Sequence, residues 1–240
     1  MKIKEILKYN DHRPWSIPIK KWNFYQEWNN AIFLHWKVEL KELSKFVPSN
    51  LQIDLFDGQP WVSLVAFTME KIRPRNFPHF SPVSNFHEIN IRTYVKSNNK
   101  TGVYFLSIEA GKKIACRIAR KISKLPYRYS TINRSFNSYN SINSDFKDSL
   151  EIQYDFNQSK SNITALDLFL TERYALFHDV GNHINEFEIH HLPWPIENME
   201  LLKLNFNYQR FSKMMGKSPD KTHFSSGVKV ISWNLFSESN

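Results

Sequence analysis

Between Phe86 and Val95 the chain alternates between apolar and polar positions and is rich in β-branched residues, the pattern of a strand. Successive side chains on a strand point to opposite faces. Ile89, Ile91, Thr93 and Val95 therefore share one side, and Glu88, Asn90, Arg92 and Tyr94 share the other. The next segment, Gly102 to Ala110, is almost wholly apolar apart from Ser107 and Glu109. Joined through the turn-forming Ser97-Asn98-Asn99-Lys100, the two predict a hairpin inside a sheet covered on both faces. A carboxylate, an amide, a guanidinium and a phenol on one face of such a strand point to a polar cavity, because buried charge needs a partner or a task.

The same reading extends along the chain. Ile3, Ile6 and Leu7 have helical spacing, and Glu42 to Phe46 forms a short helix ahead of Pro48. Trp22 to Trp28 is a separate segment, followed by strands over Ala31–Leu40, Leu51–Phe56 and Trp61–Met69. From Lys112 to Ile122 the period changes. Ile114, Ala115, Ile118, Ala119 and Ile122 recur at helical spacing, while Lys112, Lys113, Arg117, Arg120 and Lys121 lie mostly elsewhere, giving an amphipathic helix with a solvated basic face. Ser130 to Ser149 is polar, with short strands and turns. A helix or turn begins near Thr164, Phe169 to Phe177 is strand-like, and Phe224 to Phe236 closes the chain. No internal repeat or long linker divides it, so residues 1–240 read as one domain.

Composition narrows the picture. A chain of 240 residues can bury a full core, and its 15% aromatic content favours a β-rich protein. The formal charge of +9 brings nucleic acid or an acidic surface into consideration. The excess is carried mostly by lysines scattered along the chain beside abundant Asn and Ile, which a compositionally biased genome also produces; the basic helix is the one segment that would serve nucleic acid. The single cysteine, Cys116, excludes an internal disulfide and fits a reducing compartment. The first ten residues are charged without an apolar core, and no apolar run reaches transmembrane length. A cytoplasmic protein with no membrane partner is the expectation, and a homo-oligomer is compatible with it.

Nine histidines invite a metal site, yet adjacent His190 and His191 diverge on a strand and His35, His87 and His183 stand alone in the sequence. Cys116 falls on a helix with no adjacent base. There is no glycine-rich phosphate loop and no Gly-x-Ser-x-Gly elbow, and glycines number only six. No metal and no organic cofactor is therefore expected. The strand carboxylates remain. Glu88 and Arg92 stand about 13 Å apart along a strand and cannot pair directly. They can flank a small ligand, with Arg92 taking a carboxylate and Glu88 working as acid or base. The structural alternative is an ion network, pairing Glu88 with Arg173 and Arg92 with Glu109 or Glu172.

Taken together, several blocks resemble the YqjF-like family of uncharacterised bacterial proteins, domain of unknown function 2071. They are His35-Trp36, Phe56-Asp57-Gly58 with Trp61-Val62, and Phe86-x-Glu88-x-Asn90-x-Arg92-Thr93-Tyr94-Val95. Gly102-Val103-Tyr104-Phe105, Ala119-Arg120 with Leu125-Pro126-Tyr127, Phe169 to Tyr174, and His191-x-Pro193-Trp194-Pro195 follow in order. The resemblance spans about Trp28 to Trp233. It implies membership of the acetoacetate decarboxylase-like superfamily: a mainly β, closed, cone-shaped antiparallel barrel with a central cavity and a few peripheral helices. In those decarboxylases a strand glutamate lines the cavity, and Glu88 matches it. Their imine-forming lysine follows a Tyr-Pro pair, where this chain has Leu125-Pro126-Tyr127-Arg128. Tyr127 thus replaces the nucleophile, and a phenol cannot form an imine. Lys124 is close in sequence, but a three-residue shift reverses its strand face, and Lys112-Lys113 imitate the family's lysine pair from a solvated helix face. The family pattern also favours arginine just after the Tyr139 region, where Asn140-Ser141 stand here.

The resulting expectation is a buried polar pocket for a small carboxylate- or carbonyl-bearing ligand. Glu88 and Tyr127 form its acid–base pair, with Asn90, Arg92, Tyr94, Glu109, Glu172 and Arg173 as ligand-binding residues. If the protein is an enzyme, its chemistry is lyase-like acid–base work on a small oxo acid without the Schiff-base lysine. The alternatives are a non-catalytic ligand-binding or sensor protein, and nucleic-acid binding through the basic helix, which would weaken steeply with salt.

Overall fold

The structure, a computed structural model, describes residues 2–160, 162–181 and 183–233, with residues 157–160 in backbone only. In chain order the strands are β1 Phe24–Lys37, β2 Gln52–Ile53, β3 Trp61–Pro74, β4 Phe86–Ser97, β5 Lys100–Ala110, β6 Arg128–Tyr129 and β7 Thr131–Arg134. They continue with β8 Ser138–Asn143, β9 Asp148–Lys160, β10 Ala175–Val180, β11 His183–His190, β12 Ile196–Asn207 and β13 Lys221–Ser232. The helices are α1 Ile3–Ile6, α2 Leu40–Leu43, α3 Ser81–Ser84, α4 Lys113–Ser123, α5 Ala165–Thr171 and α6 Ser212–Met215. None is long and apolar enough to cross a membrane.

Seven strands hydrogen-bond in the order β1-β3-β4-β5-β10-β11-β13, and β13 returns to β1, which closes a ring. Its pairs are antiparallel except β5 with β10, where Val103 and Tyr104 face Leu176 and Phe177 in parallel. The expected antiparallel ring is thus closed through one parallel pair. At that join a Cβ on Gly102 would lie 2.5 Å from the Ala175 carbonyl oxygen, so only glycine lets the two backbones meet. On its far edge β13 pairs with β11 near Ile231 and with β12 near Phe224. From β12 the sheet continues through β9 and β8 to β7 as an arm beside the ring.

Local chemistry explains the elements that shape the interior. Asn98 and Asn99 both take positive φ, 47° and 60°, between paired Ser97 and Lys100. This two-residue mirror-image turn matches strand twist and locks the register of the β4–β5 hairpin. In β1, Asn30 at φ 51° sits in a register shift against β3. The irregularity reverses the alternation: Phe24, Gln26 and Trp28 face inward before it, and Ala31 and Phe33 join the inner cluster after it. Trp22–Trp28 and Ala31–Leu40, expected as separate segments, belong for this reason mostly to one strand. Thr164 caps α5 in a reciprocal box with Asp167.

Two apolar layers result. Ile89 and Ile91 on the outer face of β4 join Ile32, Leu34, Leu64, Leu150 and Ile152 in a core between the ring and the arm. The inner face holds Phe33, Val65, Phe67, Met69 and Phe86. Two sequence expectations are corrected. Only Gln52–Ile53 of Leu51–Phe56 pairs as strand, because the segment ends in a Phe56–Gln59 turn. Phe169–Thr171 completes α5, and strand structure starts at Ala175 rather than Phe169, since the capping box at Thr164 commits those residues to the helix. The last strand ends at Ser232; Phe236 lies outside the described residues.

Candidate functional site

The ring encloses a cavity of about 220 Å³. Every second residue of β4 enters its wall: Phe86, Glu88, Asn90 and Arg92. Register supplies the neighbours, since Glu88 lies beside Phe67 of β3, Asn90 beside Val65, and Arg92 beside Phe105 of β5. Helix α4 runs along the cavity, from Lys112 beside Ser81 to Lys124 beside His178, and lends Ala115, Ile118, Ala119 and Ile122 to its wall; the chain leaving it brings in Leu125 and Tyr127.

Glu88 and Tyr127 come together. The Tyr127 hydroxyl donates to Glu88 Oε2 at 2.9 Å, and the Asn90 side chain also hydrogen-bonds Glu88. Glu88 is 3% exposed and no cation pairs with it among the described residues. Burial therefore outweighs both hydrogen bonds and lifts its pKa from the ordinary 4.5 to about 8. At neutral pH this side chain is an uncharged acid. Burial, followed by the neighbouring Glu88, pushes the Tyr127 hydroxyl well above its ordinary range, so it serves as a donor.

The two arginines of the site differ. Arg173 Nη1 pairs with Asp54 Oδ2 at 2.7 Å, its Nε donates to the Phe169 carbonyl, and Lys96 meets the other Asp54 oxygen. Its charge is met. Arg92 is 7% exposed, donates from Nη2 to the Leu170 carbonyl at 3.2 Å, and has no carboxylate within ion-pair distance among the described residues. Its Nε has no hydrogen-bond partner among the described residues. Burial, with Arg173 as a lesser like-charged neighbour, lowers the Arg92 pKa. It nevertheless remains a guanidinium, since arginine does not deprotonate in proteins. This buried cation, near Tyr94 and Glu172 but in no ion pair among the described residues, gives the cavity wall a positive charge.

The ion network considered from sequence does not form: Glu88 meets Tyr127 rather than Arg173, and neither Glu109 nor Glu172 reaches Arg92 in an ion pair. Three further residues fall outside the cavity wall. Glu109 pairs in register with Ile89, so strand alternation turns it to the opposite face, where it accepts from Ser130. Glu172 accepts from the Trp194 backbone at 2.9 Å and from the Tyr174 hydroxyl, and so braces the wall from behind. Tyr94, one step past Arg92, is packed against Phe169, and its hydroxyl donates to the Leu170 carbonyl at 2.8 Å.

Sequence reasoning missed several contributors. Trp28, His191 and Trp194 form an aromatic wall, with Trp28 and Trp194 stacked 6.1 Å apart. His35, solitary in the sequence, faces His223 at 3.0 Å, and His223 contacts Asp167 at 2.7 Å. The other nitrogen of His35 meets Ser63, which bonds to Tyr94. Tertiary pairing over 188 residues makes that chain, and no local spacing signals it. Trp194 was detectable only within the His191-x-Pro193-Trp194-Pro195 block. No lysine lines the cavity among the described residues; Lys124 is exposed at the C-terminus of α4, and Lys112 Nζ donates to the Ser81 and Pro82 carbonyls.

Comparisons agree with this architecture. The model of DUF2071, described as an uncharacterized conserved protein, matches residues 25–229. The uncharacterized protein YqjF of Bacillus subtilis (strain 168) is 31% identical over 229 residues, covering 92% of this chain and 94% of that protein. Acetoacetate decarboxylase from Legionella pneumophila subsp. pneumophila str. Philadelphia 1 shares the fold at TM-score 0.63 and 9% identity, over 99% of this chain and 96% of its own. The enduracididine biosynthesis enzyme MppR, complexed with the condensation product of pyruvate and imidazole 4-carboxaldehyde, does so at TM-score 0.56 and 9% identity, covering 93% and 92%. At such identities the structural matches speak for the fold alone. The family match over most of the length and the relative spanning nearly all of it carry the assignment: the chain belongs to the DUF2071 family.

Proposed function

We propose that the cavity binds a small carboxylate- or carbonyl-bearing molecule, with its anionic group on Arg92 and its carbonyl-derived oxygen at Glu88 and Tyr127. The carrying observation is the buried guanidinium of Arg92, without a carboxylate partner, on the same strand face as a neutral carboxylic acid. Arg173 contributes positive potential but is held by Asp54. A proton passing from Glu88 to the ligand oxygen leaves a carboxylate that Tyr127 and Asn90 already hydrogen-bond, so the pair is arranged for general acid catalysis at neutral pH. A fold neighbour holding a pyruvate-derived product supports an oxo acid as the first ligand class to try. No lysine among the described residues of the wall offers a nucleophile for imine formation, which favours acid–base work without a covalent step.

The test combines two measurements on a panel of 2-oxo and 3-oxo acids. Thermal stabilisation of the wild-type protein, lost in Arg92→Met, is the expected result; an equal shift in both would remove Arg92 from the site. Borohydride treatment followed by intact-mass detection should yield no adduct, and a reduced adduct would restore the imine route. Turnover of a bound acid separates an enzyme from a protein that only binds.

A further inference from the structure

We propose that α4 and the loop leading into α3 dock the protein on the surface of an anionic lipid bilayer, with apolar side chains in the headgroup layer and lysines and arginines on the phosphates. This surface stands independently of the Arg92 reading.

The isoleucine stripe of α4 is not buried as its periodicity predicts. Ala115 and Cys116 are the buried residues of the helix. Ile114, Ile118 and Ile122, four residues apart and so on one stripe, are 39–51% exposed. Ile118 and Ile122 meet the cavity along one edge, and Ile114 does not. At the start of the helix Lys112 donates from Nζ to the Ser81 and Pro82 carbonyls, which holds the preceding loop beside α4. In that loop Phe77 and Phe80 are 65% and 67% exposed. Single exposed apolar residues are commonplace. Three isoleucines and two phenylalanines on neighbouring segments mark a contact surface.

Charge selects the partner. Residues 71–87 and 110–144 carry eleven lysines and arginines and no aspartate or glutamate. The remaining 188 residues carry 21 basic against 23 acidic side chains, so the positive excess of the chain resides in these two segments. Lys113, Arg117, Arg120, Lys121 and Lys124, on α4 and its C-terminal cap, are exposed, and none is in an ion pair among the described residues. Lysines exposed elsewhere do find carboxylates: Lys45 meets Glu42, Lys203 meets Glu151 and Lys217 meets Asp220. An unpaired basic face beside an apolar stripe matches anionic headgroups above acyl chains. A nucleic-acid duplex would use the cations and leave the isoleucines in water. A second copy would press two basic faces together. At eleven residues α4 is too short to span a bilayer and lies along its surface.

The experiment is co-sedimentation of the full chain with vesicles of phosphatidylcholine, with and without phosphatidylglycerol, at low and high salt, and with a short DNA duplex as competitor. Binding to the anionic vesicles alone, weakened by salt, is the expected result. Lys113→Gln and Lys121→Gln should each lower vesicle affinity roughly fivefold. Ile114→Ser combined with Phe80→Ser should weaken binding severalfold and leave its salt dependence in place. All four positions are exposed, and a thermal melt checks that each variant is folded. Absence of binding to anionic vesicles, or equal binding to neutral ones, would overturn the proposal. Unchanged affinity in the Ile114 and Phe80 variant would overturn the apolar contact. A duplex that binds more tightly than the vesicles, indifferent to those two substitutions, would replace lipid with nucleic acid.

Discussion

The pH dependence of stability in Glu88→Gln puts the buried-acid reading to its most direct test. Glu88 ionises near 4.5 when unfolded and near 8 in the ring. Between those values the folded protein holds a proton that the unfolded chain has released, so folding loses stability as pH rises from the first to the second. The gap of about three and a half pH units corresponds to roughly 5 kcal/mol when fully developed and to about 3 kcal/mol at pH 7. Glutamine keeps the shape and cannot ionise. The stability of the variant minus that of wild type should therefore be flat below pH 4, climb by about 1.4 kcal/mol per pH unit, and level off above pH 8. Buried neutral His35 and His223 act oppositely, because their lowered pKa values weaken the fold as pH falls below 6.5. Taking the difference between the two proteins cancels them. Urea unfolding at half-unit pH steps reads the quantity directly, and the part of the protonated-carboxyl infrared band at pH 7 that is lost in the variant confirms the group, since buried Glu109 and Asp148 contribute equally to both proteins. A flat difference from pH 4 to 9 would mean that Glu88 is ionised in the folded protein, and the general-acid proposal would fall with it.

Other perturbations follow from the same contacts. Tyr127→Phe removes a hydrogen bond that favours the Glu88 carboxylate, so the midpoint of that infrared titration should move upward; a downward move would show that the bond serves the neutral acid. Arg92→Met should leave the free protein as stable or stabilise it by about 1–3 kcal/mol, since a buried unpaired cation is removed, and denaturant midpoints would expose a loss instead. Arg173→Met breaks the pair with Asp54 and leaves that carboxylate only Lys96, at an expected cost of about 2–3 kcal/mol in the same assay. Gly102→Ala forces a methyl against the Ala175 carbonyl at the parallel join, and destabilisation under about 1 kcal/mol would show that the ring is slack there.

The β4–β5 hairpin was legible because its information is local. Alternation sets the faces, and the Asn98-Asn99 turn sets the register. Helix α4 was legible for the same reason, through the recurrence of isoleucine and alanine at helical spacing. Glu88, Asn90 and Arg92 followed as cavity-facing residues from a period of two and from the apolar character of the neighbouring strand. Phe169–Thr171 misled because aromatic and branched residues suit a strand, while the cap at Thr164 committed them to helix.

What sequence could not supply is the identity of partners across the ring. A strand pattern says that Glu109 and Glu88 are both buried, but only pairing with Ile89 turns Glu109 to the opposite face. Nothing local marks Asp54 as the residue that satisfies Arg173 across 119 positions, and so nothing local reveals that Arg92 is the guanidinium left without a carboxylate. Which side chains share a face is readable from the residues alone, because covalent geometry sets it within a few positions. Which charges are neutralised, and therefore which one faces the cavity with its charge unmet, depends on ring closure, and closure is a property of contacts distant along the chain.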